Sequence, residues 1–159
     1  LLKEVSQDPD STLIVVDPRR TESAELADIH LAVKPGRDAW ALSAMIAHVI
    51  QQSLIRMDWL NDNVLGLERV LERFSDIDVD GYAAFAGLNP ADVRAAAEAI
   101  AKSRTSAYYE DLGVQMAPHS TLLSYLNLLM MTITGHFGRP DTLAPLKSLI
   151  GQFLSLIHI

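Results

Sequence analysis

The sequence predicts an α/β fold in which helices flank a parallel sheet. Two short runs rich in β-branched and aliphatic residues, at 12–16 and 28–33, are bounded by Asp-Pro or Pro-Gly and are typical of strands. Between and after these runs lie segments whose apolar residues recur every three or four positions, which is the spacing of one helix face. Strands that alternate with helices along a chain favour a parallel sheet.

The first elements follow from capping residues and breakers. Thr21 is placed to cap a short helix over residues 22–28, whose acidic first turn suits the positive end of a helix. Pro35-Gly36 ends the second strand, and Asp38 is the predicted N-cap of the next helix, whose apolar stripe faces the sheet. Residues 51–87 are more polar and helical, and they read as an excursion between two halves of the sheet that includes a solvated acidic turn.

The second half of the chain continues the alternation. Asn89 and Pro90 are the predicted cap and first residue of a helix with small buried residues. Residues 105–114, "TSAYYEDLGV", predict a third strand, and Gly135 ends a final helix. The predicted buried face of that final helix consists of Leu122, Tyr125, Leu126, Leu129, Met130 and Ile133.

Composition and charge exclude several classes of function. A net charge of −7 argues against a nucleic-acid partner, because such proteins concentrate Lys and Arg in a patch. The sequence contains no cysteine, so it supplies no disulfide, thiolate metal ligand or iron–sulfur ligand. The histidine spacing matches no metal motif, and we predict no metal ligand and no catalytic residue. No apolar run is long enough to insert into a membrane.

Three predicted loops leave the carboxyl ends of the strands, at 17–21, 34–38 and 111–119. Ligands of open parallel sheets bind at this edge, where helix N-termini offer N–H groups to phosphates. A carboxylate at Asp17 can accept from a ribose hydroxyl or a guanine N–H, and Arg19 with Thr21 can face a diphosphate. Neither a G-x-G-x-x-G fingerprint nor a Walker A loop is present, so spacing alone leaves a plain surface turn as an equal alternative.

Two segments resemble a known family. They are "IVVDPRRTESAELADIHLAVKPGRDAWALSAMIAHVI" and "LGVQMAPHSTLLSYLNLLMMTITGHFGRP", and the first contains D-P-R-x-T-x-x-A-x-x-A-D followed by P-G-x-D. Over about residues 12–140 the chain is similar to the molybdopterin oxidoreductase family, the large subunits that include formate dehydrogenases and nitrate and dimethyl sulfoxide reductases. The resemblance implies a partial Rossmann-like domain over residues 1–150 that holds a molybdopterin guanine dinucleotide with molybdenum or tungsten.

The resemblance also implies roles for individual residues. Asp17 and Arg19 would contact the guanosine part, and Thr21 would steady the turn. Gly36 with Asp38 would complete the guanine site, and Gly113 would lie near the pterin or its phosphates. Each residue has a structural alternative as well: Asp17-Pro18 as a turn, Thr21 and Asp38 as caps, and the two glycines as backbone hinges. The aromatic residues Tyr108, Tyr109, Trp40 and Trp59 are predicted to lie in the core, outside the site.

The chain departs from the family pattern at two positions. His136 stands where the family often has Asn, and Asp141 stands where a glycine commonly follows the proline. Residues 151–159 are expected to be a tail, and its ending "LSLIHI" resembles a translated sequencing adapter. We also expect the chain to be a fragment of a larger protein that would associate if expressed alone, because sheet edges and apolar faces would be exposed.

The expected partners are the remainder of the same polypeptide and electron-transfer subunits. An iron–sulfur cluster would lie elsewhere in the full chain, outside this segment. The expected compartment is the cytoplasm, because the segment shows no secretory feature. The alternative from another class is a non-catalytic nucleotide-binding or interaction module of α/β architecture, such as the middle domain of a thiamine-dependent enzyme.

Overall fold

The computed structural model describes residues 2–137 as a layer of helices packed on a small parallel sheet. The strands are β1 (Ile14–Val16) and β2 (Ile29–Leu31). The helices are, in chain order, α1 (Leu2–Gln7), α2 (Glu22–Glu25), α3 (Asp38–Gln51), α4 (Met57–Asn63), α5 (Leu67–Ser75), α6 (Val79–Ala86), α7 (Pro90–Lys102), α8 (Leu112–Gln115) and α9 (Ser120–Ile133). The described part of the chain is therefore mostly helical.

The first unit of the fold consists of β1, α2 and β2, in the order that the sequence predicts. Thr21 Oγ1 accepts a hydrogen bond from the backbone N–H of Ala24 at 3.4 Å, which confirms Thr21 as the cap of α2. The strands pair in parallel, and just beyond β1 the N–H of Asp17 donates to the carbonyl of Leu31 at 3.2 Å. Both strands therefore end at the same edge of the sheet.

The predicted third strand over residues 105–114 is wrong. In the part of the chain that the structure describes, the sheet contains β1 and β2 alone. Glu110 instead accepts a hydrogen bond from Ser124 Oγ on α9 at 2.7 Å, and the Asp111 carboxylate accepts from the N–H of Leu112 at 2.7 Å, where α8 begins. Such local side-chain bonds offer the backbone an alternative to strand pairing. Within residues 2–137, the predicted Rossmann-like sheet thus has only the two strands β1 and β2.

Helix α3 is the centre of the fold, because it packs against α5, α6, α7 and α9. Its side chains at Ala44, Ile46, Ala47 and Val49 are fully buried. The apolar stripe was predicted correctly, but its main partners are helices and not the sheet. The short sheet covers too little area to bury a helix of 14 residues by itself.

Residues 51–87 are helical, as predicted, but within residues 2–137 they do not separate two halves of a sheet, because β1 and β2 both precede them. Helices α4, α5 and α6 bury Leu60, Phe74 and Ala83 in the same core as α3. The acidic turn is exposed, as expected, and its Asp78 also begins α6 by accepting a hydrogen bond from the N–H of Gly81 at 3.0 Å. This stretch therefore contributes to the core.

Helix α7 begins as the sequence predicts. Asn89 Oδ1 accepts a hydrogen bond from the N–H of Ala91 at 3.0 Å, and Pro90 is the first helical residue. Proline fits there because its missing N–H would have no partner within the helix. The small side chains Ala96 and Ala97 are fully buried, which lets α7 approach α3 closely.

The predicted buried face of α9 is only partly correct. Leu126, Leu129, Met130 and Ile133 are buried, but Leu122 and Tyr125 are 45% and 52% exposed. Leu123 and Met131 are buried in their place, so the helix is rotated relative to the predicted stripe. Gly135 follows the helix with a φ of 73°, as expected for its end. Among residues 2–137, no helix is long and apolar enough to cross a membrane.

His136 joins the end of α9 to the end of α7. Its ring is 4% exposed, with Nδ1 2.9 Å from Thr134 Oγ1 and Nε2 3.2 Å from the carbonyl of Ser103. This departure from the family pattern therefore has a packing role here. Asp141 and the expected tail, 151–159, lie outside the described residues.

Ionisable side chains meet at the α3–α7 contact, and we expect one of them to make stability depend on pH. Glu98 Oε1 lies 3.0 Å from Nε2 of the buried His48, and Oε2 accepts a hydrogen bond from Lys102 Nζ at 2.6 Å. The bond from Lys102, and then that from His48, lowers the pKa of Glu98 below its usual 4.5. A carboxyl whose pKa is lower in the folded state contributes stability above its unfolded pKa and loses it as pH falls through the folded pKa.

We therefore expect the Glu98 contribution to the free energy of unfolding to disappear on acidification below a pH of about 4.5. The variant Glu98→Gln should show a shallower loss of stability over the same acidic range, as measured by urea unfolding. Glu68→Gln, on the exposed surface of α5, is the matched control and should keep the wild-type slope. Equal slopes for Glu98→Gln and the wild type would contradict this expectation.

Candidate nucleotide-binding edge of the sheet

The first predicted loop folds into a tight turn at the end of β1. Asp17 Oδ1 accepts a hydrogen bond from the N–H of Arg19 at 2.7 Å, which closes a turn of the type that Asp side chains favour. Within residues 2–137, the second carboxylate oxygen, Oδ2, has no hydrogen-bond partner. The side chains of Arg19 and Arg20 are exposed beside it. This edge therefore presents one unused acceptor and two cations to solvent.

His30 fixes the end of β1 from the neighbouring strand. Its Nε2 lies 2.9 Å from the carbonyl oxygen of Asp17, in a partly buried position. The sequence pattern gives no connection between His30 and Asp17. The strand register could have made that connection, since it places Val15 beside His30 and Asp17 just past the pair.

The second loop, which contains Gly36 and Asp38, is held in place by the end of α6. The N–H of Lys34 donates to the carbonyl of Ala86 at 2.9 Å, and Arg37 Nη1 donates to the carbonyl of Phe85 at 2.5 Å. The Arg37 guanidinium also lies 4.1 Å from the centre of the Phe85 ring, a cation–π contact. Helix α6, which lies within residues 51–87, thus positions a loop of the candidate site. The sequence pattern did not reveal this contact.

Aromatic residues support the same loop from α3. Trp40, 38% exposed, lies with its ring centre 4.7 Å from those of both Tyr82 and Phe85. The prediction that the aromatic residues lie in the core holds for Trp59, which packs against the core. It is wrong for Trp40, Tyr108 and Tyr109, which are 38%, 43% and 86% exposed. These contacts of Trp40 with Tyr82 and Phe85 join α3 to α6 beside the loop.

Gly87, which follows α6, is a site where both the backbone and a neighbouring side chain favour glycine. Its φ is 83°, and a β-carbon there would lie 2.7 Å from Cγ of Lys34. We expect Gly87→Ala to destabilise the chain by more than the roughly 1–2 kcal/mol that a left-handed backbone costs an L-residue, because the Lys34 side chain must also move.

Gly66→Ala is the matched control for this change. Gly66 has a φ of 79°, but a β-carbon there would meet nothing within 4 Å. Urea unfolding of the two variants separates backbone strain, which they share, from the contact with Lys34. Equal losses of stability would show that the close approach of Gly87 to this loop has no energetic consequence.

Asp38 is not the N-cap that the sequence predicts. It is the first residue of α3, the cap position is Arg37, and no side chain caps the helix. Within residues 2–137, the Asp38 carboxylate makes no hydrogen bond and no ion pair, and it is partly exposed. Gly36 has a φ of 76°, which accounts for a glycine by backbone geometry. The carboxylate of Asp38 is thus available to a ligand.

The third loop meets the second through Pro118. A β-carbon at Gly36 would lie 3.9 Å from Cδ of Pro118, so the chain after α8 reaches the Gly36 turn. Gly113 lies on α8, exposed, and a β-carbon there would contact nothing within 4 Å. The hinge alternative therefore fits Gly36 but not Gly113. The site residues that the sequence predicts therefore lie just after the ends of β1 and β2, and in α8.

The side chains at this edge suit an anionic, hydrogen-bonding ligand. In residues 2–137, no group of three or more His, Cys, Asp or Glu side chains is placed to hold a metal ion. A shallow cleft beside the turn is lined by Arg20, Asp28, His30 and Asp92, among others. Exposed arginines can pair with phosphate, and free carboxylates can accept N–H bonds from a base.

The chain is similar to one segment of several larger known enzymes. No family model matches the chain. The assimilatory nitrate reductase catalytic subunit of Bacillus subtilis is 28% identical over 137 residues, and acetylene hydratase of Syntrophotalea acetylenica is 30% identical over 125 residues. Formate dehydrogenase H of Escherichia coli is 29% identical over 133 residues.

These matches cover 86%, 79% and 80% of this chain but only 19%, 17% and 18% of the relatives. The solved structure of acetylene hydratase from Pelobacter acetylenicus matches with a TM-score of 0.77 and 29% identity, over 81% of this chain and 18% of that one. The chain thus spans about a fifth of the length of the curated relatives it matches. It is homologous to one segment of the molybdopterin oxidoreductase family, which confirms the resemblance carried by the two sequence motifs.

Proposed function

We propose that this segment holds a molybdopterin guanine dinucleotide within a molybdopterin-dependent oxidoreductase. The observation that carries the proposal is the edge of the sheet, where Asp17 has an unpartnered carboxylate oxygen within the described chain and Asp38 has an unpartnered carboxylate. Two available acceptors and an exposed arginine fit a purine base joined to a diphosphate.

Each residue then has a defined task. Asp17 accepts hydrogen bonds from the guanosine part, and Arg19 contacts a phosphate or the base. Thr21 keeps α2 and the turn in place through its bond to Ala24. Gly36 and Asp38 complete the guanine site, and Gly113 lies near the pterin or its phosphates.

The relatives support a shared task and not a shared reaction. Their names include a nitrate reductase, an acetylene hydratase and a formate dehydrogenase, although all contain this segment. A segment common to enzymes with different substrates is suited to holding the group that they have in common. When bound, the cofactor supplies redox chemistry at molybdenum or tungsten, and this chain contributes binding and orientation. We assign no catalytic residue to it.

The rest of the protein follows from the same proposal. The partners are the remainder of the polypeptide and electron-transfer subunits, with an iron–sulfur cluster outside this segment. The compartment we propose is the cytoplasm. The alternative is a nucleotide-binding or interaction module such as the middle domain of a thiamine-dependent enzyme. It predicts that the full-length protein binds neither molybdenum or tungsten nor the guanine dinucleotide.

Metal and nucleotide analysis of the purified full-length protein tests the proposal. Expressed in a host that makes the cofactor, the protein should contain molybdenum or tungsten and release a guanine nucleotide on denaturation. Protein that is folded but contains neither metal nor guanine nucleotide under these conditions would overturn the proposal and favour the alternative module.

A further inference from the structure

Hydrogen bonds hold the backbone and one carboxylate oxygen of Asp17 in place. Its N–H donates to the carbonyl of Leu31 at 3.2 Å, and its Oδ1 accepts from the N–H of Arg19 at 2.7 Å. Its carbonyl oxygen lies 2.9 Å from Nε2 of His30. Within residues 2–137, Oδ2 is therefore the one polar atom of Asp17 without a hydrogen-bond partner.

The His30 ring supplies a bond that the sheet itself does not make. In a parallel pair of strands, each carbonyl accepts from a backbone N–H of the neighbouring strand, and the register of β1 and β2 would assign the N–H of Val33 to the Asp17 carbonyl. The N–H of Val33 instead donates to the carbonyl of Leu31 at 2.9 Å. The ladder thus ends before this carbonyl, and a side chain in the middle of β2 takes the place of the missing donor.

The chemistry of this contact determines which ring nitrogen carries a proton. A carbonyl oxygen only accepts, so His30 donates from Nε2–H, which both the protonated ring and one neutral tautomer provide. The contact is partly buried, and loss of the donor would leave the carbonyl without a partner. With its backbone fixed, Asp17 presents Oδ2 in one position before a ligand arrives, which lowers the cost of ordering this residue on binding.

We propose that His30 is a positioning residue of the nucleotide-binding edge. It raises the affinity for the guanine dinucleotide by fixing Asp17 and does not touch the ligand itself. The inference rests on the proposed function, because the position of Asp17 matters to affinity only if Asp17 contacts the cofactor. It extends that function to a residue outside the loops that follow the two strands.

Two substitutions of His30 in the full-length protein test the inference. Glutamine carries an amide N–H as many bonds from the backbone as Nε2, whereas phenylalanine keeps a ring but has no donor. His30→Phe should lower the affinity for the dinucleotide by about twofold to tenfold, the effect of one neutral hydrogen bond. His30→Gln should restore most of this loss. Metal and guanine nucleotide per folded subunit, measured under limiting cofactor, report the affinity.

A double substitution separates action through Asp17 from any other effect of His30. If His30 acts by positioning Asp17, His30→Phe should add little to the loss that Asp17→Ala causes alone, because the two residues then belong to one coupled unit. Losses of affinity that multiply in the double variant would show that His30 acts independently of Asp17, and they would overturn the inference.

His48→Phe is the matched control for replacing a bonded histidine. Its Nε2 lies 3.0 Å from Glu98 Oε1, and it occupies the last turn of α3, at the opposite end of that helix from Asp38. This variant should lower the melting temperature of the apo-protein and leave the cofactor content per folded subunit unchanged. A loss of cofactor equal to that of His30→Phe would mean that general destabilisation explains both results.

The remaining outcomes separate this inference from the proposed function. Wild-type affinity in His30→Phe, together with a loss in Asp17→Ala, would overturn the inference and leave the proposed function intact. Equal losses in His30→Phe and His30→Gln would overturn it as well, because the donor would then be irrelevant. Wild-type affinity in Asp17→Ala would remove Asp17 from the site and the inference with it. Folded wild-type protein without metal or guanine nucleotide would contradict the proposed function itself.

Discussion

Replacing Asp17 with alanine in the full-length protein is expected to lower its affinity for the guanine dinucleotide by about tenfold to a hundredfold. The reason is the loss of a charged acceptor, since a hydrogen bond to a charged group contributes roughly 1.5–3 kcal/mol. Asp17→Asn keeps the oxygen that accepts from Arg19 at 2.7 Å but removes the charge, so the turn should persist while affinity falls. Arg19→Ala should also weaken cofactor retention.

Asp8 offers a matched control for the turn itself. Its Oδ1 accepts from the N–H of Asp10 at 3.1 Å, the same two-residue spacing as in the Asp17 turn, but it lies before β1, away from the candidate edge. Asp8→Ala should therefore disturb a similar turn and leave cofactor content unchanged. Metal and guanine nucleotide per subunit are measured under limiting cofactor, alongside melting of the apo-protein. Wild-type occupancy in Asp17→Ala and Arg19→Ala would remove both residues from the site.

The second large effect concerns the core. Leu60→Ala, in α4, should reduce the free energy of unfolding of the 159-residue chain by about 2–5 kcal/mol, because a fully buried leucine leaves a cavity on truncation. This result would distinguish a helix that belongs to the core from one that lies outside it. Urea unfolding at low protein concentration is the appropriate measurement.

Leu65→Ala is the same chemical change five residues later, at a side chain that is fully exposed. It should change the free energy of unfolding by no more than about 0.5 kcal/mol, as surface substitutions generally do. A loss for Leu60→Ala as small as that for Leu65→Ala would contradict the burial of α4 in the core.

Local signals in the sequence predicted the elements whose structure is decided locally. Thr21 caps α2 and Asn89 caps α7 through their own side chains, so neighbouring residues alone determine these helix starts. The parallel pairing of β1 and β2 also follows from a short crossover through α2. Motif resemblance predicted the family, which the comparisons confirm.

Features that depend on long-range contacts were not visible in the sequence. The carboxylate of Glu110 accepts a hydrogen bond from Ser124, 14 residues later. Because of this contact, the residues before α8 that were predicted as a strand are a connection between helices. Arg37 bonds to the carbonyl of Phe85, 48 residues away, so the loop with Gly36 and Asp38 depends on a helix that no local pattern links to it. The exposed Leu122 and Tyr125 were predicted as core because periodicity identifies an apolar face but not its partner.

Hydrogen exchange of the full-length protein, with and without cofactor, tests the nucleotide-holding edge most directly. If residues 17–21 and 34–38 hold the dinucleotide, peptides covering these two loops should exchange more slowly in the loaded protein, while peptides of α5 (Leu67–Ser75) should not change. Protection of both loops on loading is the result that our account predicts. Identical exchange of both loops in loaded and cofactor-free protein, together with slower exchange elsewhere, would contradict it.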